Sequence, residues 1–494
     1  MRNSFITLLL LVCCFFNGYS QDMLGTWGSN YGGVSSAIQN PAFIANSKLY
    51  ADINLVGFAF GYNYNDSYLE EPNSYVYDGL HLHKTHLPVQ SSITNYSMAN
   101  RPDFDRAFMG GRELGPAFMI NVGRNAFALS FSLREAVSFT GIPDVVAKFT
   151  KQGFADSSMI ANAPYNVNQP MRVAGLAWTE TSLTWARVLK SDDQNVITLG
   201  ATVKYLAAFG GGYASIDNIN FTIQNRDQLT INNSNVSTGL SLPYRYNNSL
   251  SRVAYDPNYK WGKGFGTDIG FTIQHNTGQH YTQRFSRLCE QEFEQYEYRY
   301  SVSLLDLGWV AFKDNVISGT LVNTSPINFD LRNFVFTTTQ DAIDSLNLHY
   351  HPNPKDSSLL KQKFTIVTPT ALSFQYDKRY TDHIYVTAAG VIGIPVSKNA
   401  IRRPSELAII PRYESDIFEV SLPLSLYDFA KPRVGLSARI FFLTMGTDRL
   451  ISLSGKHDYY GYDFYASIRL NFLKLFRMNY IKGDCRESAS HPCF

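Results

Sequence analysis

Residues Asn125–Glu135 read NAFALSFSLRE. Phe127, Leu129, Phe131 and Leu133 fall on one phase of a two-residue period. Ala126, Ala128, Ser130, Ser132 and Arg134 fall on the other. Successive side chains of a strand point to opposite faces, so this stretch is a strand with one greasy face and one small or polar face. The alternation returns in Ile197–Tyr205, Phe265–Gln274, Tyr296–Leu304, Phe418–Leu426 and Tyr462–Phe472. In Tyr296–Leu304 it sets Tyr296, Tyr298, Tyr300 and Val302 on the apolar face. A soluble β-sandwich turns such faces inward, whereas a membrane barrel turns them to lipid and leaves the polar faces in the lumen.

The spacing of the connections separates the two. Gly123–Asn125, Lys190–Asn195, Asp377–Asp382 and Phe429–Arg433 read as short turns. Tyr64–Leu114, Ser138–Met171, Gly211–Gly262 and Gly393–Ser415 read as long polar connections. Bacterial outer-membrane barrels pair tight periplasmic turns with large external loops. With both termini in the periplasm and a first strand near Leu49–Tyr62, the short turns all fall inside and the long loops outside. The expected fold is all-β: a transmembrane antiparallel β-barrel of about 14 strands, even in number as such barrels are. Strands between Tyr213 and Phe364 are not all placed by pattern.

The N-terminus agrees. Arg2 precedes the run Phe5–Phe16 (FITLLLLVCCFF), and Gly18, Tyr19 and Ser20 lead to Gln21 and Asp22. That is a signal peptide, 1–20, cleaved near Ser20–Gln21. The run is shorter than the roughly 20 apolar residues a spanning helix needs. No second long apolar run follows, so a membrane-embedded chain must close a barrel to satisfy its backbone. The expected organisation is 21–47 as an N-terminal lumen segment, 48–473 as the barrel and 474–494 as a polar periplasmic tail. Aromatic residues make up 14% of the chain, in keeping with rings gathered at lipid–water boundaries. The net charge of +2 gives no electrostatic case for nucleic-acid binding.

Several phrases occur in a familiar order: Asn40-Pro41-Ala42, Gly115-Pro116-Ala117-Phe118, Gly200 through Lys204-Tyr205-Leu206, Gly264 through Gly270 (GFGTDIG) and Ser303 through Gly308 (SLLDLG). Together they resemble a family of Bacteroidota outer-membrane barrels of unknown function, distantly similar to FadL-type transporters and to PorV-like barrels of the type IX secretion system. The resemblance implies that Gln21–Ser47, carrying Asn40, Pro41 and Ala42, lies in the lumen as a plug-like segment. An ordinary turn before the first strand is the plainer alternative for Asn40-Pro41.

Candidate chemistry is sparse. Gly264–Gly270 has the look of a dinucleotide loop, but Ile269 stands where a third glycine belongs, and the run sits within a strand. Close packing inside a barrel, with Asp268 toward the lumen, is the better reading. His81, His83 and His86 are a weak metal candidate in a polar loop. Cys485 and Cys493 are candidates for a disulfide in the tail, in an oxidising compartment. No serine elbow, zinc helix motif or phosphate loop appears, so neither an enzyme nor a cofactor is expected. The expected partners are outer-membrane lipid, other envelope proteins and, for a conduit, a small hydrophobic ligand. Two functions follow: a non-enzymatic accessory or scaffold barrel of envelope assembly or secretion, or a FadL-like conduit for small apolar molecules.

Overall fold

The computed structural model describes residues 23–64, 67–69, 96–98, 105–142, 165–192, 194–225, 228–245, 255–284, 290–323, 325–330, 341, 344, 350, 363–450 and 461–471. The signal peptide, His81, His83, His86, Cys485 and Cys493 lie outside the described residues.

Apart from Ser67–Leu69 and Tyr96–Met98, which pair with each other, the described strands form one antiparallel sheet that closes on itself with 14 staves. Closure is made by Ala51–Tyr64, which pairs with Asp105–Val122 on one edge and with Gly461–Asn471 on the other. From there the wall runs through Asn125–Ile142, Met171–Ser191 and Asn195–Asn225. It continues through Gly262–Arg284 and Glu290–Phe312 to Ala371–Arg379, Ile384–Gly393 and Glu406–Glu414. Two staves are broken into pairs of short strands, at Phe418–Ser421 with Leu424–Tyr427 and at Lys431–Val434 with Leu436–Ile440. Leu443–Thr447 then leads to the closing strand.

The apolar phase faces outward. Val203 is 62% exposed, Phe265 57% and Leu183 60%, and Phe127, Leu129, Phe131, Ile269 and Ile409 are exposed as well. The buried set on the opposite phase is rich in Arg, Asp, Glu, Ser and Thr. A water-soluble sandwich would have this inside out, so a bilayer is the covering this surface requires. At the short-turn end the outward rings of His275, Tyr298, Tyr300 and Tyr376 cluster with centroids 4.9–5.6 Å apart for successive neighbours, the first pair stacked and the second edge-on. From Tyr298 to Trp309 on the same strand, about 3.3 Å per residue at a tilt near 40° gives a band roughly 28 Å tall. That matches the hydrocarbon thickness such barrels span.

Three expectations are corrected. The turn at Phe429–Arg433 lies at the end of the long connections, because Tyr427 pairs with Glu406 and Glu406 with Val391, near the top of its strand. It is a tight turn in which Asp428 and Phe429 both have positive φ, 48° and 56°, without the glycine that normally advertises such a hairpin. Within Gly393–Ser415 the structure places a full strand, Glu406–Glu414, whose alternation is blurred by inward Ala408 and Ile410. Tyr296 points inward and is fully buried, since a register shift beside Asn276 moves it to the opposite phase from Tyr300.

Between Tyr213 and Phe364 the wall divides. The upper half of Asn195–Asn225 pairs with Gln228–Ser241, its lower half with Gly262–Arg284. Val316–Asn323 and Ile327–Asp330 continue the upper sheet against Gln228–Ser241. Much of Gly211–Gly262 is thus paired strand.

Candidate functional site in the barrel lumen

Residues 23–50 contact the inner wall through three short 3-10 turns, Leu24–Thr26, Gly33–Ile38 and Pro41–Asn46. Frequent Gly, Ser and Asn explain why no long helix forms. Asn40 caps the third turn: its Oδ1 accepts from the Ala42 N–H at 2.9 Å, with Pro41 at the first position. Its Nδ2 donates to the wall carbonyl of Val302 at 3.2 Å. The backbone of Asn40–Ala42 comes this close because the facing wall residues are Gly200 and Gly270, where a Cβ would overlap Ala42 and Asn40.

Apolar and polar contacts share the docking. Leu24 and Trp27 pack on Ala371, Ala389, Val391, Ala408 and Ile410. Ile44 and Leu49 pack on Leu114, Ala117, Met119, Ala126, Ala128 and Ala186. Glu414 accepts from Asn30 Nδ2 at 3.0 Å and pairs with Lys48 at 3.1 Å. Arg299 donates to the Gly28 carbonyl at 3.0 Å and Arg412 to that of Trp27 at 3.2 Å. Asn46 joins Thr198 at 3.0 Å and Thr272 at 3.2 Å, and Ser303 donates to the Gln39 carbonyl at 2.9 Å. Tyr31 donates to Asp416 at 2.5 Å. Burial first, then the charge of Glu414, pushes the Tyr31 phenol well above its ordinary range, so it stays a donor.

Above this segment lies a layer of ion pairs. Arg134 binds Asp306 through both guanidinium nitrogens, at 2.7 and 3.0 Å, and Glu180 at 3.0 Å. Lys204 reaches Asp306 and Asp268, each at 2.7 Å, and Arg403 lies 3.8 Å from Asp306. Asp268, 3% exposed, also accepts the Asp306 N–H at 2.6 Å. Asp306 has φ +54° at an irregular point of its strand, where Thr368 and Thr370 donate to its carbonyl. Such a residue is held in place only by its surroundings. Higher still, inward apolar side chains meet: Phe108, Trp178, Leu206, Val310, Phe312 and Ile366. Arg134 bridges the two layers, its guanidinium 4.8 Å from the Trp178 ring.

Arg134, Lys204, Asp268 and Arg299 all sit on polar phases legible in the sequence. Asn30, Glu180, Arg412 and Glu414 carried no sequence signal of their own, and Asp306 stood out only as part of the SLLDLG phrase. Among the described residues no group of three or more His, Cys, Asp or Glu side chains is placed to hold a metal ion.

The model of a family of unknown function, DUF5723, matches residues 41–448, most of the chain. The chain belongs to the DUF5723 family. The match begins at Pro41, so the turn beneath Gly200 and Gly270 falls within it. No curated protein matches this DUF5723 chain in sequence. Among solved structures it is similar to the toluene transporter TodX of Pseudomonas putida, with TM-score 0.29 and 10% identity over 92% of this chain and 98% of that one. It is similar to a Pseudomonas aeruginosa FadL homologue, with TM-score 0.23 and 10% identity over 92% of this chain and 100% of that one. The translocator domain of the autotransporter NalP from Neisseria meningitidis gives 0.24 and 7% over 88% and 91%. These are distant likenesses; the closed strand pairing carries the architecture. With its apolar phase outward and its charges inward, this DUF5723 protein is an outer-membrane-type β-barrel.

Proposed function

We propose that this DUF5723 protein resides in the outer membrane of a Gram-negative bacterium as a closed, non-enzymatic barrel, serving as an accessory or scaffold for envelope assembly or secretion partners. In this reading the signal peptide is removed, the turns at Gly123–Asn125, Lys190–Asn195 and Asp377–Asp382 and both termini face the periplasm, and residues 21–47 act as a plug. One observation supports it: the N-terminal segment and an ion-pair layer occupy the described part of the lumen. The N-terminal segment is bonded to strands on several sides of the barrel, an ion-pair layer lies above it, and a cavity beside it measures about 40 Å³. That is room for about three waters, not for a permeating solute. A lumen so occupied leaves the barrel's surfaces as the working parts.

The test is twofold. In planar bilayers the purified full chain should give no conductance steps, and crosslinking in the native envelope should capture specific envelope proteins. Steady porin-like conductance, or a crosslinked sample containing only the monomer, would end the scaffold reading.

A second reading, a conduit for small hydrophobic molecules, is favoured by the inward apolar layer of Trp178, Leu206, Val310 and Phe312, which a purely water-filled lumen has no need of. It requires the N-terminal segment to move. Deleting Gln21–Ser47 should then raise permeability of liposomes to apolar dyes, and mass spectrometry of the native protein should reveal bound lipid-like molecules. Neither result would remove this reading.

A further inference from the structure

On the outward face of the barrel, three neighbouring strands carry lysines just beyond the apolar band. The register of Asn195–Asn225, Gly262–Arg284, Glu290–Phe312 and Phe364–Val367 sets Tyr205, Phe265, Trp309 and Val367 in one row. The next row up is Ala207, Lys263, Ala311 and Thr365. One row further, the same register sets Lys313, next to Phe312, opposite Lys363, next to Phe364. Trp261 flanks that row, its ring centroid 4.4 Å from that of Phe209. Lys263, Lys313 and Lys363 share the outward phase and are exposed. Aromatic rings stand above and below Lys263, and its lateral neighbours Ala207 and Ala311 are small, so the surface there is a shallow recess.

Directly opposite residues of paired strands have Cβ atoms about 5 Å apart, and diagonal ones about 7–8 Å. Lys313 and Lys363 are opposite, and Lys263 is diagonal to Lys313. Their four-carbon stems therefore start close enough for the three ammonium groups to meet on one small anion. None of the three makes a side-chain hydrogen bond or ion pair among the described residues. Carboxylates on the flanking stretches are engaged: Asp314 accepts the Lys260 N–H at 2.7 Å, and Asp217 is shared by Lys398 and Arg172. Like charges set directly across a strand pair repel, so this surface favours an anion that all three share.

Depth in the bilayer says what that anion is. At about 3.3 Å per residue and a tilt near 40°, Lys263 stands about 5 Å beyond Trp309 along the barrel axis, and Lys313 about 10 Å. The headgroup region is roughly 5–8 Å deep on each side of the hydrocarbon core, so the lysines stand at and just above it. We propose that this face binds the phosphomonoester headgroup of an outer-leaflet lipid, with Lys263, Lys313 and Lys363 closing on one phosphate and the acyl chains lying along Tyr205, Phe265 and Trp309. A phosphomonoester brings nearly two negative charges and three acceptor oxygens to the three ammonium groups. The choice of leaflet rests on the orientation proposed above; the lysine site itself stands whether the barrel is a scaffold or a conduit.

The experiment titrates the purified full chain in detergent micelles with dioleoyl phosphatidic acid, a phosphomonoester lipid, or with dioleoyl phosphatidylcholine, and reads bound lipid by native mass spectrometry. Phosphatidic acid should bind saturably and more tightly than phosphatidylcholine. Lys263→Gln, Lys313→Gln and Lys363→Gln together should weaken it on the order of a hundredfold, at about fivefold per lysine. Lys190→Gln, at the opposite end of the wall, should leave it unchanged, and Lys313→Arg should retain it. Equal affinity for the two lipids, full affinity in the triple variant, or displacement of the lipid by excess inorganic phosphate would overturn the proposal. Sidedness is read separately, with a membrane-impermeant amine reagent on intact cells, which should modify Lys313 and spare Lys190. The reverse pattern would overturn the orientation and the leaflet with it, whereas the micelle titration stands or falls on the lysines alone.

Discussion

Gly200→Val should unseat the N-terminal segment while leaving the barrel standing. The Gly200 Cα faces the backbone of Pro41 and Ala42, and a Cβ there would overlap atoms that have no side-chain freedom to move aside. To reach ordinary contact the segment has to retreat by about 1 Å. The hydrogen bonds that hold it near this point, Asn40 to Val302 at 3.2 Å, Ser303 to Gln39 at 2.9 Å, and Asn46 to Thr198 and Thr272 at 3.0 and 3.2 Å, would then stretch beyond useful length. At about 1 kcal/mol each, less what water restores, the loss of docking free energy is about 3 kcal/mol. That corresponds to roughly a hundredfold more of the undocked state. The assay is chymotryptic cleavage at Trp27, Tyr31 and Phe43 in micelles, with heat-modifiable gel mobility as the control for an intact barrel. Cleavage should accelerate about a hundredfold in Gly200→Val, with Gly200→Ala in between. An intact variant barrel cleaved at the wild-type rate would refute the claim that this glycine admits the segment.

Asp306→Asn removes the carboxylate shared by Arg134, Lys204 and Arg403 and should cost about 3–5 kcal/mol in urea unfolding from liposomes; a loss under 1 kcal/mol would mean that the layer is dispensable. Val203→Arg, at an outward position 62% exposed, should cost about 2–4 kcal/mol in a bilayer if it lies near the midplane, and a neutral result would argue against lipid on that face. In the turn after Met171–Ser191, the hydrogen bond from Lys190, then the N–H of Asn195, holds the Asp192 carboxyl below its usual range. The folded value being depressed, this contribution is present above the ordinary aspartate range and disappears as pH falls through the lowered value. The Asp192 carboxyl carbon should therefore titrate below about 3.9, and an ordinary midpoint would contradict the turn geometry.

The wall was legible because lipid and lumen impose opposite demands on alternate residues, as Asn125–Ile142 and Gly461–Asn471 display. It was illegible where an inward residue had an apolar job. Ile410 faces Trp27 and Leu24, and the strand that carries it therefore reads as loop. Tyr296 was misplaced because a one-residue register shift inverts the phase and leaves no mark in composition. Asp428-Phe429 makes its turn with positive φ and no glycine. In the lumen, Asp268 stood out from its strand, but its partners Lys204 and Asp306 come from other strands. A local pattern cannot say which charges will meet across a closed sheet.

The anchors of residues 23–50 have a bearing on biogenesis. Leu24 bonds to Asp448 across 424 positions, Gly32 to Arg469 across 437 and Asn30 to Glu414 across 384. A segment at the start of the described chain therefore finds these docking groups only after the strands that carry them, more than 380 positions later, have been made. Until then its Trp27, Tyr31 and Phe43 rings stay uncovered, an obligation that falls naturally to a holdase chaperone.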